Sequence, residues 1–149
     1  MEVKDTKIKD IKISASIIAG DFYNIEKLIK ETEEANVDYL HLDVMDGNFV
    51  PNITFGVSIA KKIKSITNLP LDIHLMVNNP ENYIKEVSEY VDILNFHIET
   101  VRFPFRFIEN IKEMIFTKGL KVKIGIAINP ITEINFLKYL RGYVDNILI

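Results

Sequence analysis

Apolar and polar positions along this chain alternate between two periods. Short β-branched runs with a two-residue repeat fall at 11–17 (IKISASI), 37–44 (VDYLHLDV), 70–76 (PLDIHLM), 91–97 (VDILNFH), 121–128 (KVKIGIAI) and 143–149 (YVDNILI). Between them, segments of helical period lie near 22–35, 56–66, 80–89, 105–118 and 132–140. Local signals mark several of the helix ends. Asp21 precedes the first helix, Asn79-Pro80 followed by Glu81 opens the third, and Gly119 stands just past the fourth.

Strand and helix alternate with no composition shift that would mark a linker. The whole of 1–149 therefore reads as a single α/β domain of parallel strands joined by right-handed crossovers and covered by helices. Two arrangements fit: an open doubly wound sheet, or part of a (β/α)8 barrel. No GxGxxG follows the first strand, which removes the main signature of the dinucleotide-binding version of the former. A complete eight-unit barrel usually takes roughly 250 residues, and about 200 at the low end. Six strands and five helices in 149 residues predict a barrel open along two edges, with unpaired backbone and apolar surface there.

Composition narrows the chemistry. The chain is 48% hydrophobic and 26% charged with a formal net charge of −3, and its lysines are spread out, so there is no electrostatic footprint for nucleic acid. With no cysteine, neither a disulfide framework nor a cysteine-based metal or nucleophile site is available. The opening MEVKDTKIKD lacks the apolar run of a signal peptide, and no stretch approaches the roughly 20 apolar residues that span a bilayer. These features predict a soluble, cytoplasmic protein with no membrane partner.

Polar residues where strands should be buried stand out against this background. All three histidines, His41, His74 and His97, sit in or at the end of a strand candidate. His41 and Asp43 are two residues apart and share a face, His74 shares a face with Asp72 and Met76, and Glu99 lies two beyond His97. Ligand sites of α/β folds lie at the carboxyl ends of parallel strands. Two imidazoles and a carboxylate at that level suit a divalent transition metal such as zinc, manganese or iron. A metal with an open position can polarise a carbonyl and stabilise an enediolate, and Asp43 could act as a general base. Plainer readings stand beside these. A strand histidine such as His97 is commonly a satisfied core or rim residue, and Met45 and Met76 read as core fillers. Asp72 reads as a capping or pairing group, Glu99 as a loop charge, Ser14 and Ser16 as small residues at a barrel mouth, and Asp46-Gly47 as a turn.

Several longer strings then resemble one family, the ribulose-phosphate 3-epimerases. They are ISASIIAGDF (13–22), HLDVMDGNFVPNITFG (41–56), PLDIHLMVNNPENYI (70–84) and GIAINPIT (125–132), and the resemblance runs from about residue 11 to the last residue. It implies a (β/α)8 TIM barrel that interconverts ribulose 5-phosphate and xylulose 5-phosphate by proton abstraction and return at C3, with one divalent ion (zinc, iron, manganese or cobalt). By position, it makes His41, Asp43 and His74 the metal ligands, with Asp43 also the acid/base catalyst. Ser16, His41, His74, Met45 and Met76 become substrate contacts, the methionines lining the site beside the reacting carbons.

In that family the second catalytic aspartate, which is also a metal ligand, comes from a seventh strand, and phosphate-binding loops follow the sixth to eighth. The resemblance therefore implies that these 149 residues alone hold metal weakly and lack the second proton carrier and the phosphate grip. Ala15 also stands where the family has proline. The expected partner is a small sugar phosphate, with room for a homo-oligomer. Two alternatives remain at this point. One is an allulose-6-phosphate 3-epimerase, which HIETVRFPFRFIENI (97–111) resembles somewhat. The other is a truncated, non-catalytic family member.

Overall fold

A computed structural model describes residues 11–149, so the charged N-terminal decapeptide considered above lies outside the described residues. Six strands form one sheet: β1 (Ser14–Ser16), β2 (Tyr39–Met45), β3 (Leu71–Met76), β4 (Ile93–His97), β5 (Lys123–Ala127) and β6 (Asn146–Leu148). Every neighbouring pair is parallel, and the spatial order β1-β2-β3-β4-β5-β6 is the chain order. A doubly wound sheet reverses direction at a switch point and carries helices on both faces. Here each crossover adds its strand on the same side, so right-handed connections put the helices on one face only. The sheet is the wall of a half-barrel, and its other face is the interior. β1 and β6 are its two edges, where Ile13 (58% exposed) and Ile149 (91%) leave the apolar surface expected of an open barrel.

Helices α1 (Ile25–Glu34), α2 (Val57–Lys64), α3 (Glu81–Val87) and α4 (Pro104–Thr117) occupy the crossovers. The fifth expected helix is a 3-10 helix, Ile134–Leu140, begun by the Glu133 side chain accepting the Asn135 N–H. Asp21 caps a short 3-10 turn, Phe22–Asn24, ahead of α1, accepting from the Tyr23 N–H. Pro80 has helical dihedrals and leads directly into α3 without a side-chain cap. Gly119 ends α4 as its position predicts: at φ +67° it lets its own N–H and that of Leu120 return to the Phe116 and Ile115 carbonyls. Among the described residues no helix is long and apolar enough to cross a membrane.

The two faces of the sheet divide the chemistry. Leu40, Leu42, Val44, Ile73, Leu75 and Phe96 point outward and are buried against Ile29, Ile63, Ile84 and Ile108 of the helices. Strand alternation then sends His41, Asp43, Met45, Asp72, His74, Met76, Asn95 and His97 to the interior face.

Strand starts are locked by a recurrent Val-Asp dipeptide. Asp38, Asp92 and Asp145 stand just before β2, β4 and β6. Each accepts a backbone N–H from the preceding strand's first residues or lead-in, namely those of Ile13, Leu71 and Ile124 at 2.8–2.9 Å. A carboxylate binding across the gap fixes the relative height of two parallel strands, and with it the height of their interior residues.

Candidate metal centre

Register brings the site residues level. Across β2 and β3 the partners are His41 with Asp72, Asp43 with His74, and Met45 with Met76, three successive interior layers leading to the strand ends. Ser16 pairs with His41 across β1 and β2. In the middle layer, Asp43 Oδ1 lies 3.2 Å from His41 Nε2 and 3.1 Å from His74 Nδ1, while Oδ2 accepts the Ser16 hydroxyl at 3.0 Å. Donor atoms of His41, Asp43 and His74 all lie within 4.8 Å of one another. The half-buried methionines occupy the next layer toward the mouth. Ser16, His41, Asp43 and His74 are thus joined by direct contacts, and Met45 and Met76 pair in register beyond them.

The segment after β2 supports that layer. The Thr54 hydroxyl donates to the Asp43 carbonyl at 2.7 Å and accepts the Met45 N–H at 3.0 Å, tying the returning loop to the strand end. Asp46 is a turn residue, accepting the Asn48 and Phe49 N–H groups through Oδ1. Its Oδ2 also accepts the Asn78 N–H, so it binds the loop after β2 to the loop after β3. Gly47 takes φ +73°, a conformation costly for a residue with a Cβ. The turn lays the Phe49 ring 4.5 Å from the His97 ring.

Electrostatics make this a cation site. Burial pushes the His41 imidazole down, but the carboxylates of Asp43 and Asp72 on either side outweigh it and carry it up to about 9. Burial likewise pushes Asp43 up, and hydrogen bonds from His41, His74 and Ser16 reverse that, holding it well below the usual carboxylate range. Two imidazole nitrogens therefore converge on one ionised oxygen. A lone pair facing a carboxylate at 3.1–3.2 Å needs a positive charge between them, supplied by a proton or a metal ion. Two nitrogens and an oxygen at this spacing fit a borderline transition metal. His41, Asp43 and His74 are the residues that could hold one.

Behind this layer lies a band of hydrogen bonds that the sequence reading did not assemble. Asp72 accepts from His41 Nδ1 at 2.8 Å and Ser14 Oγ at 3.0 Å through Oδ2, and from Asn95 Nδ2 at 2.7 Å through Oδ1. The Asn146 side-chain amide donates in turn to Asn95 Oδ1. Between those two asparagines β5 offers Gly125, where a Cβ would lie 2.0 Å from Asn95 Oδ1. Asp72 is therefore more than a capping group. The available signal was the period-two placement of polar residues in consecutive strand candidates. It became visible only once register put them at one height.

His97 and Glu99 also touch the cluster: His97 is the buried, satisfied strand histidine of the plainer reading, and Glu99, in the turn after β4, is paired with it instead of standing as a free loop charge. His97 Nε2 lies 2.9 Å from His74 Nε2, and His97 Nδ1 lies 3.1 Å from Glu99 Oε2. Glu99 Oε1 accepts the Asn129 N–H at 2.7 Å and the Thr132 hydroxyl, both from the loop after β5. Burial pushes the Glu99 carboxyl up, but these hydrogen bonds together bring it below its ordinary range. Burial and the neighbouring His74 push His97 down.

Comparison with known proteins agrees with this architecture. The model of the ribulose-phosphate 3 epimerase family matches residues 12–149. The chain is 45% identical to the ribulose-phosphate 3-epimerase of Methanocaldococcus jannaschii over 93% of its own length and 56% of the relative's. It is 38% identical to the Bacillus subtilis ribulose-phosphate 3-epimerase over 93% and 62%. To the chloroplastic ribulose-5-phosphate-3-epimerase of Arabidopsis thaliana it is 36% identical over 94% and 49%. The chain thus spans about half to three-fifths of the length of the curated relatives it matches. With the family model covering nearly all of it, and with a parallel half-barrel carrying the matched strings at its strand ends, the chain belongs to the ribulose-phosphate 3-epimerase family.

Proposed function

We propose that the protein is a metal-dependent epimerase that interconverts ribulose 5-phosphate and xylulose 5-phosphate by moving a proton at C3. The observation that carries this reading is the placement of Asp43. It is an ionised carboxylate at the mouth-facing end of β2, held between two imidazoles in a chain that matches the epimerase family.

Asp43 is the residue that would take the proton. A carboxylate kept ionised by its neighbours is a competent acceptor, and the Ser16 hydroxyl on Oδ2 steadies its orientation. His41, Asp43 and His74 would hold the divalent ion, which, when bound, neutralises the negative charge that develops on substrate oxygens as the carbon–hydrogen bond breaks. Met45 and Met76, paired in register one layer further out, would cover the reacting carbons and keep water away. Among the described residues, the other carboxylates of the cluster, Asp72 and Glu99, face the far sides of histidines and not the centre. The carboxylate that returns a proton on the opposite face is thus assigned to none of them. The proposal includes a single ion of zinc, iron, manganese or cobalt, a small sugar-phosphate substrate and a cytoplasmic location.

The test is epimerisation of ribulose 5-phosphate by the full-length protein in deuterated water. Deuterium entering C3 with turnover is the expected result. Turnover without exchange at C3 would remove the proton-transfer chemistry, and absence of turnover on this substrate would remove the assignment.

A further inference from the structure

We propose that the groove between α3 and α4 binds a small amphipathic anion, an apolar chain or ring bearing a phosphate or carboxylate head. The groove lies on the helix side of the sheet and shares no residue with the metal centre, so the inference stands apart from the epimerase reading.

Helix lengths leave the space. α3 has seven residues and α4 has fourteen, so α3 covers only part of its neighbour. Their C-terminal ends are clamped together by Lys118, just past α4, which donates to the Lys85 carbonyl at 3.0 Å and to Glu89 at 2.6 Å. Ahead of the clamp the two helices enclose a cavity of about 600 Å³, within the roughly 300–1,000 Å³ of small-molecule sites. Its floor is apolar. Along α4, Ile108 and Ile115 are buried in the core, while Phe107, Ile111 and Met114, four and three residues apart, line the cavity together with Ile84. Phe107 and Met114 are only partly buried. One apolar stripe is enough to seat a helix on a sheet, and this second one faces open space.

Cations ring this floor. Arg102, from the turn after β4, Arg106, from the first turn of α4, and Lys85 of α3 line the cavity against a single carboxylate, Glu81. The positive excess is local, because the chain as a whole carries −3. Among the described residues the ion pairs all use lysine or histidine, so neither arginine is held by a carboxylate. The Arg102 guanidinium instead lies 5.4 Å from the centre of the Phe103 ring. Stacking occupies the face of that group and leaves its in-plane N–H donors for an oxyanion. A purely polar anion would leave the floor wet, and a neutral apolar molecule would gain nothing from the cations. A charged head on an apolar body uses both.

Shape selects a free small molecule over a membrane surface. Ile84 and Ile111 are 2% and 5% exposed, too recessed to enter a bilayer, whereas a single flexible chain can reach them between the helices. The turn from Thr100 to Phe103 forms one wall, and the Thr100 hydroxyl donates to the His97 carbonyl at 2.8 Å. A ligand in the groove therefore touches the segment that leads out of β4.

The probe is decyl phosphate, added below its micelle concentration to the full-length protein, with methyl NMR of Ile84, Ile111 and Met114 as the readout. Expected are a Kd below about 1 mM and shifts centred on these methyls. Octyl phosphate should bind about tenfold more weakly, because two fewer methylenes enter the floor. Inorganic phosphate should leave the three methyls unmoved. Arg102→Gln and Arg106→Gln, made together at exposed positions, should weaken decyl phosphate by about tenfold without changing the urea midpoint. Absence of shifts at the three methyls, or shifts confined to β1 and β6, overturns the inference, and this measurement needs no variant. Equal affinity for octyl and decyl phosphate, or for the parent and the double variant, overturns it as well. Cosedimentation with anionic lipid vesicles without binding of the free probe would assign the arginines to a membrane and refute the small-molecule site. Self-association that buries these methyls and resists the probe would refute it too, by making the groove an interface between copies.

Discussion

Asp72 Oδ2 lies 2.8 Å from His41 Nδ1 across a ladder in which the two are register partners. This one contact joins the proposed metal layer to the polar band beneath it. The same carboxylate also accepts from Ser14 and Asn95, so it ties β1, β2 and β4 to β3. Asp72→Ala would leave the His41 and Asn95 donors without their acceptor in a largely buried setting. At about 1–3 kcal/mol for each buried group left unsatisfied, the expected loss is about 3 kcal/mol in urea unfolding. Zinc affinity should fall by about 10–100-fold, with Asp72→Asn recovering part of both because it keeps an acceptor oxygen. A variant with parent stability would mean that water takes over these contacts.

Asp43→Asn keeps the shape of the centre and removes its charge and basicity. Epimerisation by the full-length protein should drop by about 10²–10⁴-fold, the usual contribution of a positioned acid or base. Cooperative unfolding should persist. A rate near that of the parent would exclude Asp43 as the group that moves the proton.

Metal uptake and pH are linked through His41. Its folded-state value of about 9 is above the ordinary 6.5, so in the metal-free protein its contribution to stability is complete below about 6.5 and is lost as pH rises through about 9. Asp43 is displaced the other way, and its contribution, present above its ordinary 3.8, is lost only in strong acid. At neutral pH, a metal ion held by His41 and Asp43 would have to displace the His41 proton. Titration calorimetry near pH 7.5 in buffers of different ionisation enthalpy should report about one proton released per ion bound. Heats that do not depend on the buffer would show that His41 was already neutral.

Gly125→Ala tests the polar band from the opposite side. Its Cβ would sit 2.0 Å from Asn95 Oδ1 and 2.4 Å from Asn146 Nδ2, forcing apart the contact that crosses the glycine. Overpacking of this kind costs about 1–3 kcal/mol, read as a lower urea midpoint. A neutral result would show that the two asparagines separate freely.

Asp92→Ala removes the acceptor for the Leu71 N–H and the partner of Lys64, both at 2.9 Å. Hydrogen bonds to a charged group contribute about 1.5–3 kcal/mol. Because Asp92 is partly exposed, a loss near 1.5 kcal/mol is expected, with faster amide exchange at Leu71 as the local signature. Exchange at the parent rate would separate Asp92 from the register of β3 and β4.

Much of this protein is legible without coordinates. The alternation of periods places all six strands to within a few residues, Gly119 marks the end of α4, and the His-x-Asp spacing at 41–43 puts both side chains on one face. These are properties of local geometry: a two-residue repeat along a strand, and a left-handed conformation that favours glycine. The 3-10 form of 134–140 was less accessible, because one apolar face serves either helix type.

What the chain could not disclose alone is how high each strand stands against its neighbours. That depends on contacts between residues far apart in sequence, such as the Asp38, Asp92 and Asp145 carboxylates reaching across to the preceding strands. Only with those heights set do Asp72 meet His41, Asn95 meet Asn146 over a glycine, and Glu99 meet His97 behind His74. Sequence determined which residues face the interior, since side-chain direction follows from the backbone repeat. Tertiary structure decided which nitrogen of each histidine faces the centre, since each ring is oriented by the partner that strand register places on its far side.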